Sequence, residues 1–351
     1  MDSNKLSPDW EQETSTANAN SHYAWDKLDD QMRAHENDTI EEYEDENYLE
    51  PDVPPGLPED DVDVGPESPP DASINLPKRI LAYSSQKLLK LFSKCTRGSV
   101  DGTFKSCCKM WTQQFVFMLK HNQHWIPVVW GWLPDKLEVS YKVFLLLIQE
   151  KLRELAIPFN VKEIISDFEL NIHKSIDEMI PEVEILGCFF HLAKAFKKKV
   201  DQKRMKNEYD NDPKFRKFIK QAIALSSLPL ADLEKGMEYL RDNFNFEDQN
   251  VEAFKTEFLA YIDSYWIHGC FPPFIWSTWK RTSDYTNNNQ EGYNSKMNKE
   301  LKQHHPSPGL LLVFIRKQII LAEVTATSSK VGNPGPRHLA KHKKNAKKRQ
   351  N

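Results

Sequence analysis

At 351 residues the chain is long enough for one large domain or two small ones. Its net charge of −4 conceals a division: residues 1–72 hold 22 Asp/Glu against three Lys/Arg, near −19, and the remainder carries 29 acids against 44 bases, near +15. Five cysteines, at 95, 107, 108, 188 and 270, form no even disulfide framework, and the longest apolar runs, such as Val143–Ile148, fall far short of the roughly 20 residues of a membrane span. These features exclude a disulfide scaffold and a spanning protein. They lead us to expect a soluble, intracellular chain with no membrane partner and no leader peptide, in which an acidic interaction arm is joined to a polyanion-binding body.

Residues 1–72, acidic and Pro-rich, cannot bury enough apolar surface to offset ordering entropy and read as disordered. The aromatic residues Trp10, Tyr23, Trp25 and Tyr43 leave room for short helices that fold on an unknown protein partner. Residues 73–97 read as a leading helix and linker, with helical apolar spacing over Ile80–Phe92. Three strand-like runs follow, Gly98–Lys105, Gln114–Leu119 and Trp125–Leu133, with short connections that suit antiparallel hairpins.

Val139–Leu155 has the three-and-four spacing of an amphipathic helix. Glu163–Ser166 is a short strand ending at Asp167, Glu169–Ile180 a helix, Val183–Cys188 a strand, and His191 to about Glu208 a basic helix. The order β-β-β-α-β-α-β-α implies an α/β fold around one mixed five-stranded sheet, antiparallel first and parallel later. The next runs, Pro213–Ser226, Pro229–Phe244 and Asn250–Tyr265, read as helices. An aromatic segment, HGCFPPFIWSTWK, precedes two more helices, Glu291–Leu301 and Pro308–Ala326. The last 15 residues contain seven Lys/Arg, so residues 327–351 read as a basic disordered tail that directs nuclear import.

Three acids stand out: Asp101 in SVDGTFK, Asp167 in EIISDFE and Glu291 in NNNQEGYNSKMN. An acid inside a central strand is costly unless it meets a cation, but an Asp before Gly also suits an edge strand or a turn. Asp167, at a strand's carboxyl end, could line a crevice or cap the next helix. Glu291 opens a helix, where a carboxylate favours the dipole without any chemistry. Glu169 reads as a first-turn Glu or a group supporting Asp167, and Asn288 and Asn289 as residues that orient Glu291 or touch a phosphate. Cys188 and His191 form a C-x-x-H pair at a strand-to-helix turn; with His268 and Cys270 they could make a Cys₂His₂ zinc site, although nothing in the sequence shows that the pairs meet, and the plainer reading of Cys188 is a buried, small apolar side chain. Trp125, Trp130 and Trp132 read as core. Trp276 and Trp279, near Lys280 and Arg281, read as core with base stacking as the alternative.

Taken in order, DGTFK, W-x-P-V-V-x-G-W-L, I-I-S-D-F-E, G-C-F-F-H and N-N-x-Q-E-G-Y-N-S resemble the transposase domain of Mutator-like DNA elements over roughly residues 98–326. The resemblance implies an RNase H-like DDE core with an all-helical insertion, here residues 213–265. It implies Asp101, Asp167 and Glu291 as catalytic ligands of two Mg²⁺ or Mn²⁺ ions, and DNA as the partner, with an oligomer of the chain assembled on it. In such a core the basic helix offers Lys194, Lys197, Lys198 and Lys199, together with Lys280 and Arg281, as phosphate contacts. The implied activity is metal-dependent DNA cleavage and strand transfer. Its rivals are a domesticated, non-catalytic DNA-binding or regulatory protein and a general RNase H-like nuclease. These transposases usually carry a zinc-binding recognition module, and no such Cys/His cluster occurs in the sequence.

Overall fold

The computed structural model describes residues 79–279, 281 and 288–328. The acidic arm, most of the basic tail and Lys280 therefore lie outside the described residues. Six strands form one sheet: β1 (Leu81–Tyr83), β2 (Arg97–Thr103), β3 (Gln113–His121), β4 (His124–Leu133), β5 (Glu163–Ser166) and β6 (Glu184–Gly187). Their spatial order is β1-β4-β3-β2-β5-β6. The β1–β4, β4–β3 and β3–β2 pairs are antiparallel, and β2–β5 is parallel.

The five strands expected within residues 98–200 are present, with Asp101 on the first and Asp167 directly after the fourth. The expected total of five is corrected to six. The extra strand, β1, lies where a helix over Ile80–Phe92 was expected. Only Gln86–Leu89 (α1) and a 3₁₀ turn over Lys90–Ser93 are helical there, with Ser85 capping α1. Leu81–Tyr83 pairs with the edge of β4 instead, and Tyr83 packs on Trp132 at a ring separation of 5.0 Å. A three-residue strand carries too little pattern to be seen without its partner.

β3 is buried on both faces, as its unbroken apolar run Phe115–Leu119 requires. On one face Phe115 packs against Tyr141 and Phe144 of α2 (Glu138–Glu154). On the other, Gln114 donates to Met297 Sδ of α10 (Asn288–Leu301) at 3.0 Å. The final helix of this body, α11 (Pro308–Ser328), buries Leu311, Phe314, Ile315, Gln318, Ala322 and Ala326.

The chain folds into two compact units, and the sheet with α1, α2, α3 (Leu170–Met179), α10 and α11 makes up one of them. The described part of the other runs from Gly187 to 281 and is helical. It contains α4 (Phe189–Gln202), α5 (Lys206–Asn211), α6 (Pro213–Ala224), α7 (Leu233–Asn243), α8 (Gln249–Tyr261) and the short α9 (Pro273–Trp276). A π-helical turn, Ile262–Ile267, extends α8.

This unit takes in α4 because the apolar face of that helix belongs to it. Phe196 meets Phe258 and Trp266 at ring separations of 5.4 and 5.7 Å. The single basic helix expected to run on to Glu208 is two, broken at Arg204, whose φ is +57°. No described helix is long and apolar enough to cross a membrane.

Candidate active site

Asp101 sits in the middle of β2, between β3 and β5, so the edge-strand and turn readings of its DG pair do not apply. Ser99 lies level with Ile165 across the parallel β2–β5 pair. Continued two positions, that register sets Asp101 level with Asp167 on the same face, because side chains alternate with period two. Gly102 suits a close approach: a Cβ there would lie 2.2 Å from Gln113 Oε1 and would have to displace that buried amide. The Gln113 amide donates to the Tyr141 hydroxyl at 2.8 Å, and that hydroxyl donates to Glu169 Oε1 at 2.6 Å.

α10 docks on the face that carries Asp101. Gln290 accepts from Ser99 Oγ at 2.8 Å and donates to the Val116 carbonyl at 3.0 Å. One turn later Asn294 donates to Asp101 Oδ2 at 2.9 Å, and the Trp130 indole donates to the Tyr293 hydroxyl at 2.7 Å. Gln290, Asn294, Met297 and Leu301 form the buried stripe of the helix. Glu291 belongs to its first turn, between the two amides that clamp β2. The helix is anchored to the sheet through Gln290, Tyr293 and Asn294. The Asn288 side chain lies outside the described ones, and Asn289 borders a groove beside β4.

At the end of β5, His173 on α3 reaches back to the Asp167 carbonyl with Nε2 at 2.7 Å and lies 3.0 Å from Ser166 Oγ. Burial lowers its pKa to about 4, so the imidazole is neutral and Nε2–H can donate to that carbonyl. The N-cap position of α3 is Glu169, two residues after Asp167, and Glu169 makes no side-chain cap bond. Glu169 is instead held by Tyr141 and by Lys136 Nζ at 3.6 Å, so it is neither an ordinary first-turn acid nor a solvent-facing one.

Replacing Tyr141 by Phe should cost about 1–3 kcal/mol, because the change strips a partner from the half-buried Glu169 carboxylate. Urea denaturation of both proteins measures the difference. A change within error would mean that water replaces the hydroxyl.

The electrostatics tie the acids together. Burial raises the Asp101 pKa well above the carboxylate range, and the charges of Asp167, Glu291 and Glu169 add to the shift, against the Gly102 N–H that Oδ1 accepts at 2.8 Å. Burial, then Glu169, pushes Asp167 up to about 7, against Lys136 and the backbone N–H groups of Glu169 and Asp167. Asp167 Oδ1 is buried and has no hydrogen-bond partner. Among the described residues no three His, Cys, Asp or Glu side chains form a ready ligand set. The acids share one electrostatic environment.

Residues 98–195 match the model of the MULE transposase domain. That stretch is thus similar to a MULE transposase domain, in line with the resemblance of its motifs. The matched stretch includes Asp101, Asp167, Cys188 and His191 and ends before Glu291. No curated protein matches the chain.

The remaining candidates lie in the helical unit. Cys188 is buried at the N-cap of α4. Burial, then Lys194, lowers the His191 pKa to about 3. His268 is exposed and lies 3.3 Å from Asp263, and these residues do not meet as a zinc set. Lys194 is exposed on α4, and Lys198 is half-buried. Lys197 and Lys199 lie over the rings of Tyr209 and Tyr261, at 5.4 and 5.0 Å. Arg281 donates to the carbonyls of Gly187 and Ile275 at 3.1 and 2.6 Å, a backbone clamp within the unit. Trp130, Trp132 and Trp276 are buried as expected, whereas Trp279 is 41% exposed.

Proposed function

We propose that the sheet unit is an RNase H-like DDE core that cleaves and joins DNA phosphodiesters. The observation that carries this reading is the convergence of Asp101, Asp167 and the Glu291-bearing turn on one sheet face, from three elements far apart in sequence. The MULE transposase domain over residues 98–195 supports DNA as the substrate.

Mg²⁺ or Mn²⁺ fits the donor set. Both ions take oxygen ligands, and a buried carboxylate oxygen without a partner is costly unless it is protonated or meets a cation. Asp101, Asp167 and Glu291 would hold the ions, which when bound would stabilise the attacking and leaving oxygens.

The other roles belong to the chain's own groups. Asn294 and the Gly102 N–H orient the Asp101 carboxyl. His173 holds the backbone carbonyl of Asp167. Tyr141 and Lys136 keep Glu169 turned to its own partners, so that it acts on Asp167 through its field. With its pKa raised by burial and by Glu169, Asp167 holds its proton more tightly than an ordinary carboxyl, and a cation that binds there must displace it. In the helical unit, Lys194, Lys197, Lys198 and Lys199 of α4 are the expected phosphate contacts.

The rival reading is a transposase-derived DNA binder without catalysis. A cleavage assay on plasmid and linear duplex DNA, in Mg²⁺ and in Mn²⁺, separates the readings. Cleavage that needs the ion supports the DDE core. Salt-sensitive binding with no cleavage in either ion assigns the chain to the binder class.

A further inference from the structure

α11 exposes apolar residues along one face. Leu310, Val313, Ile320, Leu321 and Val324 are between 41% and 65% exposed, on a helix whose opposite face is buried against the sheet unit's core. The positions 310, 313, 317, 320 and 324 alternate by three and four, the spacing of a coiled-coil seam. Scattered surface leucines need no explanation, but a continuous seam over four turns does. Lys317 occupies the middle position. Its ammonium is drawn aside to Glu300 on α10, 3.3 Å away, which leaves its methylene stem on the seam.

We infer that this seam is the interface for a second copy of the same chain, packed antiparallel about a two-fold axis near residues 318–319. The charges select this occupant and orientation. With Val313 set against Val324 of the second copy, Lys317 falls opposite Ile320 and Leu310 opposite Thr327. The same register sets Arg316, at the seam's flank, opposite Glu323, and the two-fold axis repeats the pair. A parallel arrangement would instead oppose Lys317 to itself and leave Arg316 facing Leu321, with no charge partner. Glu323 sits 3.2 Å from Lys87 within its own chain, with its side chain 23% exposed. The helix thus carries complementary charges in the order that self-pairing needs. Its seam, from Leu310 to Thr327, is about 26 Å long at the helical rise of roughly 1.5 Å per residue.

The test uses the full chain in sedimentation velocity over about a hundredfold range of concentration. A concentration-dependent dimer is expected, shifted to monomer by Val313→Glu or by Val324→Glu. Both positions are at least 60% exposed, so each variant keeps its fold, which circular dichroism checks. Orientation is read by disulfide trapping in a Cys270→Ser background. Chains carrying Val313→Cys should cross-link when mixed with chains carrying Val324→Cys, and neither should cross-link alone. A monomer at every concentration, or a dimer untouched by both glutamates, would overturn the proposal. Cross-linking of Val313→Cys chains to themselves would overturn the antiparallel register. Monomers that bind phosphatidylcholine vesicles through the seam would assign the face to a lipid surface instead.

Discussion

Single alanine substitutions at Asp101, Asp167 and Glu291 are each expected to lower ion-dependent DNA cleavage by about a thousandfold or more. Each acid would contribute ligand charge to a shared ion site, and removing one empties or misplaces an ion. The loss then equals most of the several kcal/mol that such ions supply to a phosphoryl transition state. DNA binding should survive, because it rests on the positive charge of the 279 residues outside the acidic arm. Affinity in EDTA should rise slightly in the variants, since each removes an acid from a surface that meets a polyanion. Asn294→Ala should share part of the defect, because Asn294 positions the Asp101 carboxyl. Full cleavage by all three acid variants would mean that the chemistry lies elsewhere. A wild-type protein that never cleaves, with variants that bind alike, would leave the fold as a DNA-binding scaffold.

The second large effect concerns stability and pH. In EDTA, Asp167→Asn should be more stable than the wild type at pH 8 and about equal to it at pH 4. The Asp167 carboxyl has an ordinary pKa of 3.8 and a folded-state value of about 7. Below 3.8 it is neutral whether the chain is folded or unfolded, and its contribution is fully present. As pH rises, the unfolded chain releases the proton first, and stability drains until the folded carboxyl ionises near 7. Asparagine cannot ionise, so the variant escapes this loss. The gain should be roughly 1–3 kcal/mol, reduced by the coupling with Asp101, whose pKa is raised in the same direction.

Millimolar Mg²⁺ or Mn²⁺ should reverse the order at pH 8, stabilising the wild type and leaving the variant unchanged. Thermal melts at the two pH values, with and without the ion, decide the matter without recourse to activity. Equal melting temperatures at pH 8 in EDTA would show that water reaches the site and relieves the charge. An ion that fails to stabilise the wild type would count against a metal site at Asp167.

Much of this protein can be read along the chain. The runs Gly98–Lys105, Gln114–Leu119, Trp125–Leu133, Glu163–Ser166 and Val183–Cys188 carry strand signals strong enough to place five strands, and hence the elements that position Asp101 and Asp167. The two acids sit beside Gly102 and Phe168 in local contexts that can be recognised without coordinates. Local pattern could not resolve interactions whose partners are distant in sequence. β1 exists because β4 offers an edge 47 residues or more downstream, and its three residues alone resemble the start of a helix.

The helical unit begins at Gly187 because Phe196 finds Phe258 and Trp266, which no periodicity within α4 reveals. The anchoring of α10 through Gln290, Tyr293 and Asn294 depends on partners on β2, β3 and β4 that the motif around Glu291 does not contain. The Asp101–Asn294 bond joins residues 193 apart, and Glu169 owes its role to a tyrosine on another helix. Backbone propensity acts within a few residues and so marks the elements. A carboxyl's pKa and partners depend on burial and on charges brought near by the fold, and for those the tertiary structure is decisive.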